Sequence, residues 1–165
     1  MQKAIFLDRD GVINSDKGHY YIYKRDDFKI NTGIIPSLKK FSDAGYLLFI
    51  VTNQGGVAKG IYTMDDVNEI HSYLQEQLLL EDIRITHIYT CPHHESVTPC
   101  LCRKPSPYFI LKAINHFNLD SKKCFLIGDS ERDIQSAQGA GIKGILINSN
   151  EDITPYCTKI LNHEI

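Results

Sequence analysis

The chain contains no block of basic residues, no internal repeat, no low-complexity tract and no long apolar run, and each absence narrows its role. Eighteen Lys and Arg stand against twenty Asp and Glu, a net charge of −2. This balance argues against nucleic acid or an anionic membrane surface as the main partner. The longest apolar stretch, Tyr46 to Val51, has the length of a buried strand and is far too short to span a bilayer. At the N-terminus, Ala4-Ile5-Phe6-Leu7 meets a charge at Asp8, too soon for a leader core. The expectation is a cytoplasmic protein whose thiols stay reduced. Its five cysteines are therefore read as metal ligands or core residues before disulfides. At 165 residues, 42% of them apolar, the chain suits a single domain over 1–165, expected as a monomer.

What is present is an alternation of short apolar runs and amphipathic stretches. Ala4–Leu7, Tyr46–Val51, Ile83–Tyr89, Cys124–Ile127 and Ile145–Ile147 read as strands buried on both faces. Between them, Ile34, Ile35, Leu38 and Phe41 form one helical stripe, closed by Gly45. Val67, Ile70, Leu74 and Leu78 form a second, with Thr63 as its N-cap. Phe109, Ile110, Ala113, Ile114 and Phe117 form a third, entered through Ser106-Pro107, and a short fourth runs from about Glu131 to Gly139. The pattern predicts an α/β fold, a doubly wound parallel sheet with right-handed crossovers. Two segments stand outside it. The Tyr-rich stretch 11–31 is expected as a flap or hairpin, and 91–105 as a polar loop that function or metal must order.

In such a sheet, ligands bind beyond the carboxyl ends of the strands. Three predicted strands run into polar residues there: Asp8-Arg9-Asp10-Gly11, Thr52-Asn53-Gln54, and Gly128-Asp129-Ser130 with Asp133 following. Acids converging on one edge repel one another unless a cation lies among them, which points to a hard, oxygen-ligated metal such as magnesium. A carboxylate can attack phosphorus once cations neutralise the phosphoryl oxygens, and a second acid can protonate the departing alkoxide. Asp8 and Asp10 lie two apart, so both can point to one side. The Thr52 hydroxyl and the Lys104 ammonium would complete the cradle. Arg9, between the acids, reads as a surface partner for them.

Cys91-Pro92-His93 followed after six residues by Cys100-Leu101-Cys102 supplies three thiolates and an imidazole, sufficient for a closed tetrahedral zinc site. The loop has little apolar residue to fold around, so metal bonds would supply its order and fix Arg103 and Lys104 just beyond it. His94 reads as a solvated neighbour and Cys124 as core, while Cys157 has no assigned place.

Taken together, Asp8-Arg9-Asp10-Gly11-Val12, Thr52-Asn53, Lys104 and Gly128-Asp129 through Asp133 resemble, in order, the four motifs of the haloacid dehalogenase-like phosphatases. The resemblance implies Asp8 as nucleophile, Asp10 as general acid/base, and Thr52 and Lys104 as phosphoryl contacts. It implies magnesium on the Asp8 side chain, the Asp10 backbone carbonyl and the Asp129 side chain, with Asp133 steadying Lys104 or a metal-bound water. The cysteine loop resembles the capless, zinc-bearing branch whose members act on heptose bisphosphates or on histidinol phosphate. Tyr20-Tyr21-Ile22-Tyr23 and Thr52 through Gly60 look more like the heptose side, although Gly55 and Lys59 stand where Ser and Arg are common. The expected substrate is therefore D-glycero-D-manno-heptose 1,7-bisphosphate, losing its C7 phosphate, with histidinol phosphate as the alternative. Asn53, Gln54, Lys59 and Arg103 are expected to contact its hydroxyls and its second phosphate. A signalling receiver domain also forms an aspartyl-phosphate, but the cysteine loop and the Gly-Asp-x-x-x-Asp motif disfavour it.

Overall fold

A computed structural model describes residues 1–165. Five parallel strands, β1 (Gln2–Leu7), β2 (Tyr46–Asn53), β3 (His87–Cys91), β4 (Leu119–Gly128) and β5 (Lys143–Leu146), form one sheet in the order β3-β2-β1-β4-β5. The chain winds outward from β1 in one direction through β2 and β3, then returns to β4 and β5 on the other side. The switch point thus lies between β1 and β4, where open α/β sheets leave a crevice.

Alternation along the strands feeds two cores. Ile5 and Leu7 of β1 face a cluster shared with α1 (Ile34–Asp43), α2 (Met64–Leu79) and α5 (Thr154–Leu161). Ala4 and Phe6 face the opposite cluster, with Ile110 of α3 (Tyr108–His116) and Ala137 of α4 (Glu131–Gly139). Phe6 stacks on Phe49 at 5.0 Å across neighbouring strands. α2 starts as its sequence indicates: Thr63 accepts from Asp66 N, and the Asp66 carboxylate accepts from Thr63 N in return, a capping box. No helix is long and apolar enough to cross a membrane.

β4 begins at Leu119 and β5 at Lys143, ahead of the predicted Cys124 and Ile145, and three further elements differ from expectation. The third strand begins at His87, not Ile83: Ile83 is fully buried, but as a loop residue in the first core cluster, so its apolar character reflects packing and not a ladder position. Segment 11–31 is no hairpin. It folds back through a single antiparallel bridge, Asn14 to Ile30, and a short 3₁₀ turn at Arg25–Asp27. The last element, α5, has no counterpart among the predicted helices; it buries Cys157 and Ile160 in the first core cluster, which places Cys157.

Candidate active site

Strand register brings the motifs to one level. Leu7 pairs with Ile50 on one side and Ile127 on the other, so Asp8 emerges beside Val51-Thr52 and Gly128-Asp129. The chain must then turn away sharply. Gly11 does this at φ +82°, a left-handed conformation costly for other residues, and a Cβ there would collide with the Asp129 carboxylate.

Lys104 is the hub. Its ammonium, 3% exposed, reaches Asp8 Oδ1 at 2.8 Å and Asp133 Oδ1 at 2.6 Å, and donates to the Val51 carbonyl at 2.7 Å. Burial alone would push Lys104 down, but the attraction of Asp8 and Asp133 outweighs it and holds the lysine above its ordinary value. Asp133 is itself fixed by the first turn of α4, its Oδ2 accepting from Ser130 N at 3.1 Å and Ser130 Oγ at 2.7 Å. Asp8 Oδ1 also accepts from Arg9 N at 2.7 Å. Burial pushes the Asp8 carboxyl up to about 7, with Lys104 opposing and Asp133 adding. Burial and Asp133 likewise raise Asp129.

The oxygens of Asp8, Asp129 and Asp133 lie within 4.8 Å of one another, against the single lysine. Three carboxylates and one ammonium leave negative charge uncompensated, and the donors are all hard oxygens. That set fits a divalent cation such as magnesium. The second cluster is of the opposite kind. Cys102 Sγ lies 3.3 Å from Cys91 Sγ, 3.7 Å from Cys100 Sγ and 3.4 Å from His93 Nδ1, while Cys91 Sγ lies 3.7 Å from both Cys100 Sγ and His93 Nδ1. Zinc–sulfur bonds of about 2.3 Å in a tetrahedron require sulfur–sulfur edges of roughly 3.8 Å. The four donors sit near those edge lengths, so this set fits zinc.

Asp10 is held in place by three side chains. Arg9 Nη2 donates to both of its oxygens at 2.9 and 3.0 Å, Asn14 Nδ2 to Oδ1 at 2.9 Å, and Gln54 Nε2 to Oδ2 at 3.0 Å. This corrects the reading of Arg9 as a surface residue. Its side chain is 0% exposed, and Nη2 also donates to the Ile22 carbonyl while Nη1 lies 3.3 Å from His71 Nε2 on α2.

The expected substrate contacts divide. Arg103 lines the cleft, its Nε paired with Glu95 at 2.7 Å and its Nη1 donating to the His93 carbonyl at 3.1 Å. Asn53 lines it too, but its amide is committed to Lys104, accepting from Lys104 N and donating to Lys104 O, each at 3.1 Å. Gln54 lines it as well but is only 1% exposed, with both amide N–H bonds given to Asp10 and Thr52 and its Oε1 accepting from Tyr62. Lys59 is exposed and outside the cleft lining, because the turn after Gly56 carries it away from the strand end. Thr52 is also buried, but its Oγ1 accepts from Gln54 Nε2 at 2.8 Å, which leaves its own proton to be donated elsewhere.

The cleft measures about 380 Å³ and adds residues that spacing could not indicate. Tyr20 and Tyr21 form part of its wall, as do His19, His94 and Arg132. His94 is therefore a wall residue and not merely solvated. It can lean in because position 55 has no side chain: a Cβ on Gly55 would come within 2.8 Å of the His94 ring and 3.1 Å of the Arg103 guanidinium.

An α/β sheet with an acid-lined, lysine-centred cleft at its switch point defines a phosphoryl-transfer enzyme, and the comparisons agree. A family model described as HAD-hydrolase-like matches residues 101–156. D-glycero-alpha-D-manno-heptose-1,7-bisphosphate 7-phosphatase of Campylobacter jejuni is 45% identical over 91% of this chain and 84% of its own length. D-glycero-beta-D-manno-heptose-1,7-bisphosphate 7-phosphatase of Pasteurella multocida is 37% identical over 99% and 91%. The D,D-heptose 1,7-bisphosphate phosphatase of B. bronchiseptica, solved with magnesium and phosphate, superposes with a TM-score of 0.90 at 26% identity, covering 98% of this chain and 99% of that one. The chain belongs to the haloacid dehalogenase-like phosphatases, in the branch of the heptose-1,7-bisphosphate 7-phosphatases. It is a hydrolase of phosphate esters.

Proposed function

We propose that this phosphatase removes the C7 phosphate of D-glycero-D-manno-heptose 1,7-bisphosphate, acting in the cytoplasm as a single-domain monomer. The observation that carries the reaction is the pose of Asp8. Asp8 lines the cleft; its Oδ1 is fixed by Arg9 N and Lys104, while its Oδ2 takes no protein hydrogen bond and is left for phosphorus. In the first step an Asp8 oxygen forms a bond to phosphorus as the bond to the C7 oxygen breaks, giving an aspartyl-phosphate and a sugar alkoxide. Asp10 donates the proton that alkoxide needs, then takes a proton from the water that hydrolyses the aspartyl-phosphate. Lys104 and the free proton of Thr52 hold the phosphoryl oxygens as charge builds. Asp8, the Asp10 backbone carbonyl and Asp129 would hold magnesium, which supplies further neutralisation of the phosphoryl charge. Cys91, His93, Cys100 and Cys102 would hold a structural zinc that orders the loop bearing Arg103 and Lys104.

The substrate assignment is supported by the named relatives and by Arg103 on the cleft wall, a guanidinium suited to a second, remote phosphate. The test is steady-state kinetics, with magnesium, on both anomers of the heptose 1,7-bisphosphate beside histidinol phosphate. The heptose compound should show the higher kcat/KM; the reverse order removes this substrate and leaves the phosphatase chemistry intact.

A further inference from the structure

We propose that Tyr62 is a positioning residue for the reacting groups: through Gln54, its hydroxyl fixes both Asp10 and Thr52. The chain of contacts is short and buried. Tyr62 is 5% exposed, and its hydroxyl donates to Gln54 Oε1 at 2.7 Å. Gln54 Nε2 then donates with both of its N–H bonds, to Asp10 Oδ2 at 3.0 Å and to Thr52 Oγ1 at 2.8 Å. The amide has only one productive orientation. Once Asp10 has given up its proton its carboxylate can only accept, so the nitrogen must face it, and the buried Oε1 is left needing a donor. Tyr62 is that donor. Burial pushes its phenol up to about 12, so it keeps its proton at any working pH. Without it, a buried carbonyl oxygen has no partner, and the amide gains from rotating away from the carboxylate.

Tyr62 is also joined to the cleft wall. Its ring stacks on Tyr23 at 4.9 Å and meets Tyr21 edge-on at 5.5 Å, and Tyr21 with Tyr20 lines the cleft. The same wall segment is tied to Asp10 a second time, since Arg9 Nη2, which holds Asp10, also donates to Ile22 O at 2.6 Å. Wall and reacting carboxylate therefore share one rigid frame, with Tyr62 as its outer member.

This inference rests on the role proposed above for Asp10. Its test is Tyr62→Phe, which keeps the ring and its stacking and removes only the hydroxyl. On p-nitrophenyl phosphate with magnesium, and on the heptose bisphosphate, kcat should fall roughly tenfold, the rate equivalent of one lost buried hydrogen bond. KM should change by less than about twofold, because Lys104, whose contacts do not involve Gln54, keeps its hold on the phosphoryl group. In a Gln54→Met background the same change should have no further effect on kcat, because the intermediary is gone. A wild-type kcat in Tyr62→Phe overturns the inference, as does a loss confined to KM or one that persists undiminished beside Gln54→Met. Asp10→Asn separates the two readings. If it stays active, the role of Asp10 falls and the inference with it. If Asp10→Asn is inactive while Tyr62→Phe is wild-type, only the inference falls.

Discussion

Lys104→Met should cost stability in a way that depends on pH. The ammonium is 3% exposed and lies between Asp8 and a fully buried Asp133. Removing one partner of a buried charge cluster leaves the others uncompensated, at about 3–5 kcal/mol. For a chain of this size that corresponds to a melting temperature lower by roughly 6–20 °C, which a fold of ordinary stability survives. The pH dependence has a definite sign. Asp8 is raised from 3.8 to about 7 by burial, with Lys104 the main group opposing it, so in the variant it rises further. A carboxyl whose folded pKa exceeds its unfolded one binds more protons folded than unfolded, so stability falls as pH rises through that window and returns as pH falls. The deficit should therefore be larger at pH 7.5 than at pH 5. Urea denaturation in magnesium-free buffer at both values measures it. A deficit under about 1 kcal/mol at pH 7.5, or one that grows on acidification, refutes the account of Lys104 as the counter-charge of this cluster.

Other predictions concern separate parts of the molecule. Purified protein should carry about one zinc per chain, from its four-donor set, and stripping it should reduce activity more than it unfolds the sheet; fully active, zinc-free protein contradicts this. Arg103→Ala should lower kcat/KM for the heptose bisphosphate by roughly tenfold or more, yet affect p-nitrophenyl phosphate by less than about threefold, since the small ester carries no second phosphate. Burial and then Arg9 hold His71 down to about 3 from its usual 6.5, so below pH 6.5 the unfolded chain binds a proton that the folded one refuses. His71→Gln should accordingly lose roughly 2 kcal/mol less stability than wild type between pH 6.5 and pH 5 by urea titration, and an unchanged pH dependence counts against it.

The sheet was legible because strands buried on both faces leave uninterrupted apolar runs, and β1 and β2 were read nearly to their ends. Ile83 misled because a buried loop residue looks the same as a strand residue in sequence. α5 escaped because eight residues with Cys157 and Ile160 as the inward pair give too short a stripe to distinguish from a tail. At the site, the acids were recognisable as motifs, since Asp8 and Asp129 directly follow β1 and β4 and Asp133 stands in the first turn of the helix that comes next. Their supports were not. Tyr62 and His71 reach the site across the fold from the loop just before α2 and from the interior of that helix, and no spacing rule links them to Asp10. The inward turn of Gln54, the clamp of Asn53 on Lys104 and the burial of Arg9 depend on which neighbours fill their hydrogen bonds, which only the packed structure determines.

The central claim is that Asp8 itself takes the phosphoryl group, and phosphate release by Asp8→Asn tests it most directly. The amide preserves the side-chain shape but can neither attack phosphorus nor hold magnesium as an anion does. With heptose 1,7-bisphosphate and saturating magnesium, the purified variant should keep a wild-type circular dichroism spectrum and lose at least roughly a thousandfold in kcat. Phosphate release at the wild-type rate by that folded variant would contradict the account.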